Sequence, residues 1–102
     1  MRKILLVCSA GMSTSLLVSK MKKSAKEKEI EVDIHATSEY ELNHCLDEVD
    51  IVLIAPQVRF LKNKISKLVE SKEIKVEMID SVAYGRMQGD QILIQALSLI
   101  NS

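Results

Sequence analysis

The residues best placed to do chemistry lie near the start of the chain. Cys8 follows the apolar residues Ile4, Leu5, Leu6 and Val7. It leads into Ser9, Ala10, Gly11, Met12, Ser13, Thr14 and Ser15 before an apolar stretch resumes at a different spacing. Gly11 admits backbone conformations closed to other residues, and the small hydroxyl side chains of Ser9, Ser13, Thr14 and Ser15 suit the start of a helix. A tight loop entering a helix turns several backbone N–H groups inward, and the helix dipole adds partial positive charge there. Such a concavity holds anions, phosphate above all. A cysteine at its mouth is favoured as the nucleophilic thiolate. Cys8 is therefore read as a nucleophile with a phosphoryl group held around its sulfur. The competing expectation is an inert cysteine at the end of a buried strand, where thiols behave as small hydrophobes.

Other chemistries fit these residues less well. A Walker A loop needs GxxxxGK[ST] and a dinucleotide loop needs GxGxxG, whereas Gly11 stands alone. A cysteine phosphatase carries an arginine where this chain has Thr14. An arginine fork would grip the oxygens of a phosphoryl transition state and speed hydrolysis. Without it, a phosphocysteine should form, resist water for a time and pass its group to a better acceptor. A relay is expected rather than a phosphatase. A receiver-like signalling domain needs acidic residues at strand ends to hold Mg²⁺, but the first and third apolar runs end in Cys8 and in Ala55-Pro56. Cys45 forms no CxxC with Cys8 and is expected to be an inert, inward-facing helix residue, so neither a metal site nor a dithiol is indicated. His35, expected at the end of a strand, and His44, expected mid-helix, show no ligand-like spacing.

Elements must hold Cys8 at an open edge. Lys3 to Val7 reads as a strand buried on both faces. Leu17, Met21 and Ala25 mark one face of a helix. Ile30 to Ile34 alternates, with Ile30, Val32 and Ile34 on one side, as a strand nearer a sheet edge would. Ser38 with Glu41 is a capping box, opening a helix with Leu42, Cys45 or Leu46, and Val49 inward. Ile51 to Ala55 is a second fully apolar strand, stopped by Pro56. Leu61, Ile65, Leu68 and Val69 mark a third helix and Val76 to Ile79 a fourth strand. After a "DSVAYG" loop, Leu93, Ala96, Leu97 and Ile100 mark a last helix. Strict β-α alternation with doubly buried strands predicts an α/β fold: a four-stranded parallel sheet, order 2-1-3-4, with helices on both faces. Ligands bind such sheets beyond the strand ends where the order reverses, between the first and third strands. Cys8 ends the first of these.

The 102 residues suit one domain with an ordinary aliphatic core, 47% of them apolar and 27% charged. Lys plus Arg balance Asp plus Glu at 14 each, and aromatics are scarce, so neither a nucleic-acid surface nor base stacking is expected. The opening "MRKILLVCSAG" has too short an apolar run for a secretion signal, and no run reaches membrane-spanning length. A cytoplasmic protein is expected.

Three stretches carry a resemblance: "ILLVCSAGMSTSLLVSKM" from Ile4, "DIVLIAPQV" from Asp50 and "VEMIDSVAYGRMQG" from Val76. Together they resemble the IIB subunits of the bacterial phosphoenolpyruvate-dependent sugar phosphotransferase system, lactose/cellobiose (chitobiose) branch, over essentially the whole chain. The resemblance implies a single IIB-type phosphocarrier domain, residues 1–102, with a fold similar to low-molecular-weight tyrosine phosphatases and a phosphatase-like cysteine loop. It implies that Cys8 accepts phosphate from a phosphohistidine on a IIA partner. Cys8 would pass it to a sugar, a β-linked disaccharide such as cellobiose, chitobiose or lactose, carried by the membrane IIC subunit. The backbone of Ser9, Ala10, Gly11, Met12, Ser13 and Thr14 would cradle the phosphate. The family often has Gly-Pro-Gln where this chain has Ala55-Pro56-Gln57.

Around this site Gln57, Asp80 and Tyr84 are peripheral candidates. Gln57 could donate to phosphate or contact a partner, but a polar helix-start residue is the stronger expectation. Asp80 stands where related phosphatases place a general acid, but a helix cap or turn is the stronger expectation. Tyr84 would shape its loop or line a partner surface. Met12 and Val58 are candidate partner contacts, each equally readable as core. No metal or organic cofactor is required, no leftover apolar helix face demands a dimer, and contact with the membrane is expected only through IIC.

Overall fold

Every residue from Ile4 to Val7 and from Ile51 to Ile54 is completely buried. Strands without a polar face belong in the middle of a sheet covered on both sides, and the computed structural model puts them there. It describes residues 2–8 and 12–101, apart from the side chains of Met12, Ser13, Thr14 and Glu39. β1 (Arg2–Cys8) pairs with β2 (Val32–Ser38) on one side and with β3 (Ile51–Ile54) on the other, and β3 pairs with β4 (Lys75–Met78). All pairs are parallel and the order is β2-β1-β3-β4, as the pattern of burial required.

Among the described residues, four α-helices, α1 (Met12–Glu27), α2 (Lys62–Leu68), α3 (Ser81–Gly85) and α4 (Gly89–Ile100), join three 3-10 helices over Glu39–His44, Pro56–Leu61 and Glu70–Lys72. On one face Ile4, Leu6, Ile34, Ile51 and Leu53 pack under Leu17 and Met21 of α1 and Ile92, Leu93 and Ala96 of α4. On the other, Leu5, Val7, Val52 and Ile54 pack under Leu42, Leu46 and Val49, and under Leu61, Ile65 and Val69 around α2. Asp50 locks the amino-terminal edge. Its Oδ2 accepts from Lys3 N (2.8 Å), its N donates to Lys3 O (2.9 Å), and its O accepts from Lys75 N (3.3 Å).

Several boundaries depart from the sequence reading, each for a local reason. The second strand begins at Val32, and Ile30 belongs to the end of α1. Ile30 N donates to Ala25 O and Glu29 N to Lys26 O, with Glu29 left-handed at φ 56. That is a Schellman stop, in which an apolar residue after the left-handed one packs back on the helix. His35 accordingly lies mid-strand. The stretch after Ser38 buries Leu42, Leu46 and Val49 as expected, but it is 3-10 rather than α-helical, and Ser38 makes no side-chain cap bond. Tyr40, Asn43 and His44 are weak α-helix formers in a short segment. His44 therefore ends a 3-10 helix, and Cys45 is its half-buried C-cap, with Sγ donating to Thr37 Oγ1 (3.7 Å). Leu68 is exposed. The inward row runs Leu61, Ile65, Val69 at spacing four, which leaves Leu68 off the face. "DSVAYG" is not a loop: it contains α3. Val58 is 4% exposed, which makes it core and not a partner contact.

The two helices on the first face cross at Gly89. A Cβ there would lie 2.7 Å from Lys20 Cβ, 2.9 Å from Lys20 C and 2.9 Å from Met21 N. Backbone cannot yield as a flexible side chain would, so Gly89→Ala forces α1 and α4 apart. The expected cost is about 1–3 kcal/mol, a fall in Tm of roughly 4–8 °C per kcal/mol for a chain of this size. Thermal unfolding followed by circular dichroism measures it, and an unchanged Tm would contradict the close crossing.

Candidate functional site

β1 and β3 end at the crevice where the strand order reverses. Cys8 is the last residue of β1, in register with Ser38 of β2. Ala55 N donates to Val7 O (2.9 Å), which carries the β1–β3 ladder one residue past the end of β3 and brings the start of Pro56–Leu61 beside Cys8. Cys8 is 6% exposed and packs with Val7, Ala55 and Val58. By strand alternation it should face the other side, with Ile4 and Leu6, so the regular pleat ends at this residue. Both Cys8 and Cys45 are thiols.

Met12, Ser13 and Thr14 form the first turn of α1, a 16-residue helix with no acidic residue in that turn. Its first backbone N–H groups have no acceptor within the helix, and its dipole places partial positive charge at that end. Ser9, Ala10 and Gly11, predicted to complete the cradle, lie outside the described residues, as do the side chains of Met12, Ser13 and Thr14.

The peripheral candidates converge on the same edge. Gln57 is exposed in the first turn of the 3-10 helix that leaves β3. Asp80 follows β4 and caps α3: its Oδ2 accepts from Ala83 N (2.9 Å). The cap gives this acid a structural use, the stronger of the two expectations for it. Tyr84 is half-buried and packs against the clusters on both faces of the sheet. Tyr84 lies on α3, after the edge strand β4, where a ring can reach both faces of the sheet.

Gln95 on α4 was not singled out from the sequence. Its Nε2 donates to Met78 O (3.0 Å) and its Oε1 accepts from Asp80 N (3.0 Å). The side-chain amide thus reads the backbone on either side of Ile79 as a neighbouring strand would, and it fixes the turn that carries Asp80. In sequence it is one polar residue on an amphipathic helix, and nothing local distinguishes it.

The histidines stay apart from Cys8. His35 Nε2 lies 2.7 Å from Asp33 Oδ1 in an exposed pair on β2, in register with Leu5 rather than Cys8. His44 lines a cleft with Asp47, Glu48 and Lys72. Among the described residues, no three His, Cys, Asp or Glu side chains converge as a metal site would require. No helix among them is long and apolar enough to cross a membrane.

Known proteins place this geometry in a family. The profile of the phosphotransferase system (PTS), lactose/cellobiose-specific IIB subunit, matches residues 3–95. The chain is 46% identical over 100 residues to the PTS system oligo-beta-mannoside-specific EIIB component of Bacillus subtilis (strain 168), covering 98% of this chain and 97% of that relative. It is 40% identical over 103 residues to the PTS system galactose-specific EIIB component of Lactococcus lactis subsp. cremoris (strain MG1363), covering 96% of this chain and 95% of the relative. Among solved structures, the cellobiose-specific phosphotransferase IIB component protein from Borrelia burgdorferi superposes with a TM-score of 0.80 at 43% identity, covering 98% of this chain and 92% of that one. The chain therefore belongs to the lactose/cellobiose-specific IIB subunits of the PTS and is a phosphotransferase of sugar uptake.

Proposed function

We propose that the protein is the phosphoryl relay between a IIA donor and a sugar held by a membrane IIC subunit, with Cys8 as the carrier. The observation that carries this reading is the position of Cys8 at the switch point, just ahead of a long helix start without acids. The Cys8 thiolate attacks phosphorus in line. The P–N bond to the donor imidazole breaks, its electron pair returns to nitrogen, and an S–P bond forms. In the second step a sugar hydroxyl oxygen attacks phosphorus, the S–P bond breaks to restore the thiolate, and the hydroxyl proton leaves to a base on the acceptor side. The phosphoryl group brings nearly two negative charges. Backbone N–H groups of Ser9, Ala10, Gly11, Met12, Ser13 and Thr14 balance them, and neither metal nor organic cofactor is required.

The sugar is a β-linked disaccharide of the cellobiose, chitobiose or lactose type, selected by IIC. The relatives named above carry different sugar names at 40–46% identity to this chain, which supports placing the choice outside it. The protein works as a monomeric single domain in the cytoplasm, held at the membrane through IIC, and has no nucleic-acid role. Gln57, Asp80 and Tyr84 shape the periphery of the site.

Three substitutions test this reading. Cys8→Ser should keep the fold and abolish phosphorylation, since an alcohol ionises far less readily than a thiol. Intact mass after mixing with phosphorylated IIA checks it, and a variant that still gains one phosphoryl group points to another acceptor. Asp80→Asn should keep both the cap and full phosphoryl transfer, because Asn caps as well as Asp. Asp80→Ala should lose about 1 kcal/mol of stability. Transfer lost in Asp80→Asn, at unchanged Tm, would make Asp80 an acid after all. Thr14→Arg should shorten the lifetime of the phosphocysteine about tenfold or more, by supplying the missing transition-state donor. The decay of the phosphorylated mass with time measures it, and an unchanged lifetime contradicts the argument from the missing arginine.

A further inference from the structure

Away from Cys8, the second half of α1 holds a polar group that packing does not explain. Ser24 is 8% exposed, and its Oγ is buried with no hydrogen-bond partner among the described residues. A buried hydroxyl left unpaired is costly, and an alanine would fill the same place without that cost. A hydroxyl kept there calls for a use. Ser24 lines a cleft of about 340 Å³, a volume within the range of small-molecule sites. Lys20, Lys23, Glu27 and Lys28 belong to the same wall, since residues three and four apart share one side of a helix. Met87, Gly89 and Asp90, where α4 begins, form the opposite wall. Ser24 stands between Lys20 and Lys28 on the first wall, so its side chain projects toward the floor of the cleft.

The groups around Ser24 select a chemistry. Lys20, Lys23 and Lys28 are exposed, and among the described residues none of them has an ion-pair partner. α4 is 12 residues long, and its N-cap, Gln88, makes no side-chain cap bond. Gly89 N donates to Met87 O and Ile92 N to Gln88 O, which leaves the N–H groups of Asp90 and Gln91 for an acceptor from outside the helix. The helix dipole adds partial positive charge at the same point. Lysines, backbone amides and a hydroxyl all donate, and together they match the oxygens of a phosphate group. Glu27 and Asp90 do not, because two carboxylates repel a bare anion. Carboxylates accept from hydroxyl groups, so the arrangement suits a ligand with an anionic end and a hydroxyl-rich body.

We propose that this cleft binds a sugar phosphate, the chemical class that a phosphotransferase of sugar uptake produces. Ser24 Oγ, the three lysines and the amides of Asp90 and Gln91 hold the phosphate. The carboxylates of Glu27 and Asp90 accept from the hydroxyls of the ring. The site is separate from Cys8: Ser24 lies about 18 Å along α1 from Met12, at a rise of about 1.5 Å per residue. The inference stands apart from the relay reading of Cys8, because it needs only the cleft and the class of product.

The test uses the intact, isotopically labelled protein, with glucose 6-phosphate, inorganic phosphate and glucose as probes and backbone amide shifts in nuclear magnetic resonance as readout. Glucose 6-phosphate should shift the amides of Ser24, Asp90 and Gln91 saturably and bind about tenfold tighter than inorganic phosphate, and glucose should not bind. Ser24→Ala should weaken the binding of glucose 6-phosphate about tenfold while raising the Tm of the free protein, a pairing that a merely structural hydroxyl would not give. Lys20→Gln with Lys23→Gln should weaken binding by a similar factor and flatten its dependence on salt. Glu27→Ala should narrow the gap between glucose 6-phosphate and inorganic phosphate. Cys8→Ser should leave the affinity unchanged, so the result is read independently of any relay. Shifts confined to the segment after Cys8, or an unchanged affinity in Ser24→Ala, overturn the site. Equal affinity for inorganic phosphate makes it an adventitious anion site only and overturns the assignment to a sugar phosphate.

Discussion

Two strands that present no polar face set the terms for the rest of the molecule. β1 and β3 bury Ile4 to Val7 and Ile51 to Ile54 completely, and each such aliphatic side chain contributes about 1.5–3 kcal/mol when removed from water. Both strands therefore need cover on both sides. Right-handed crossovers decide how the cover arrives. The connection from β1 to β2 runs one way along the sheet and lays α1 on the first face. Those from β2 to β3 and from β3 to β4 run the opposite way and lay their helices on the second. The two directions part between β1 and β3, so a crevice must open beyond their carboxyl ends. Cys8 stands there as a consequence of the same burial that stabilises the sheet.

What could be read from the sequence follows this division. The central strands and the strand order were legible because continuous aliphatic runs have one physical explanation. Helix ends were not, because the usual punctuation is missing. The chain has 3 glycines, and among the described residues the left-handed positions are Glu29, Glu48, Glu73 and Met87. An ordinary side chain in that conformation costs about 1–2 kcal/mol and leaves no mark in composition. Met87 closes α3 with the same bond pattern as Glu29 closes α1: Gln88 N donates to Ala83 O and Met87 N to Tyr84 O. With a glycine at position 87 the short helix hidden in "DSVAYG" would have been announced. Ile30, drawn into the second strand by its alternation with Val32 and Ile34, is the apolar residue that accompanies the first of these stops.

At the site, the position of Cys8 was legible, because a doubly buried strand ends there and a run of small residues follows it in the sequence. The cap at Asp80 was legible because an acid after a strand and before a helix has an ordinary local use. Gln95 was not, because its bonds to Met78 and Asp80 exist only once α4 lies against the end of β4. The amide makes the turn after β4 part of the sheet although no fifth strand pairs there among the described residues. The turn after β4 is thereby tied to α4, while Ala55 N ties the segment after β3 to Val7 O.

The short turns at the strand ends divide their residues between two duties. The 3-10 helix after β2 sends Leu42 inward and Tyr40 outward, and the one after β3 sends Val58 and Leu61 inward and Phe60 outward. Sequence spacing could not separate Val58 from Phe60, because a six-residue segment has no established period and either could face the core. The structure separates them by burial. Inward residues hold the sheet and cannot change without cavity or overpacking. Outward ones leave most of their apolar area in water, so that area can still favour association. The same turns thus hold the core with some residues and leave others in water, and the strands beneath them keep their register through the inward set.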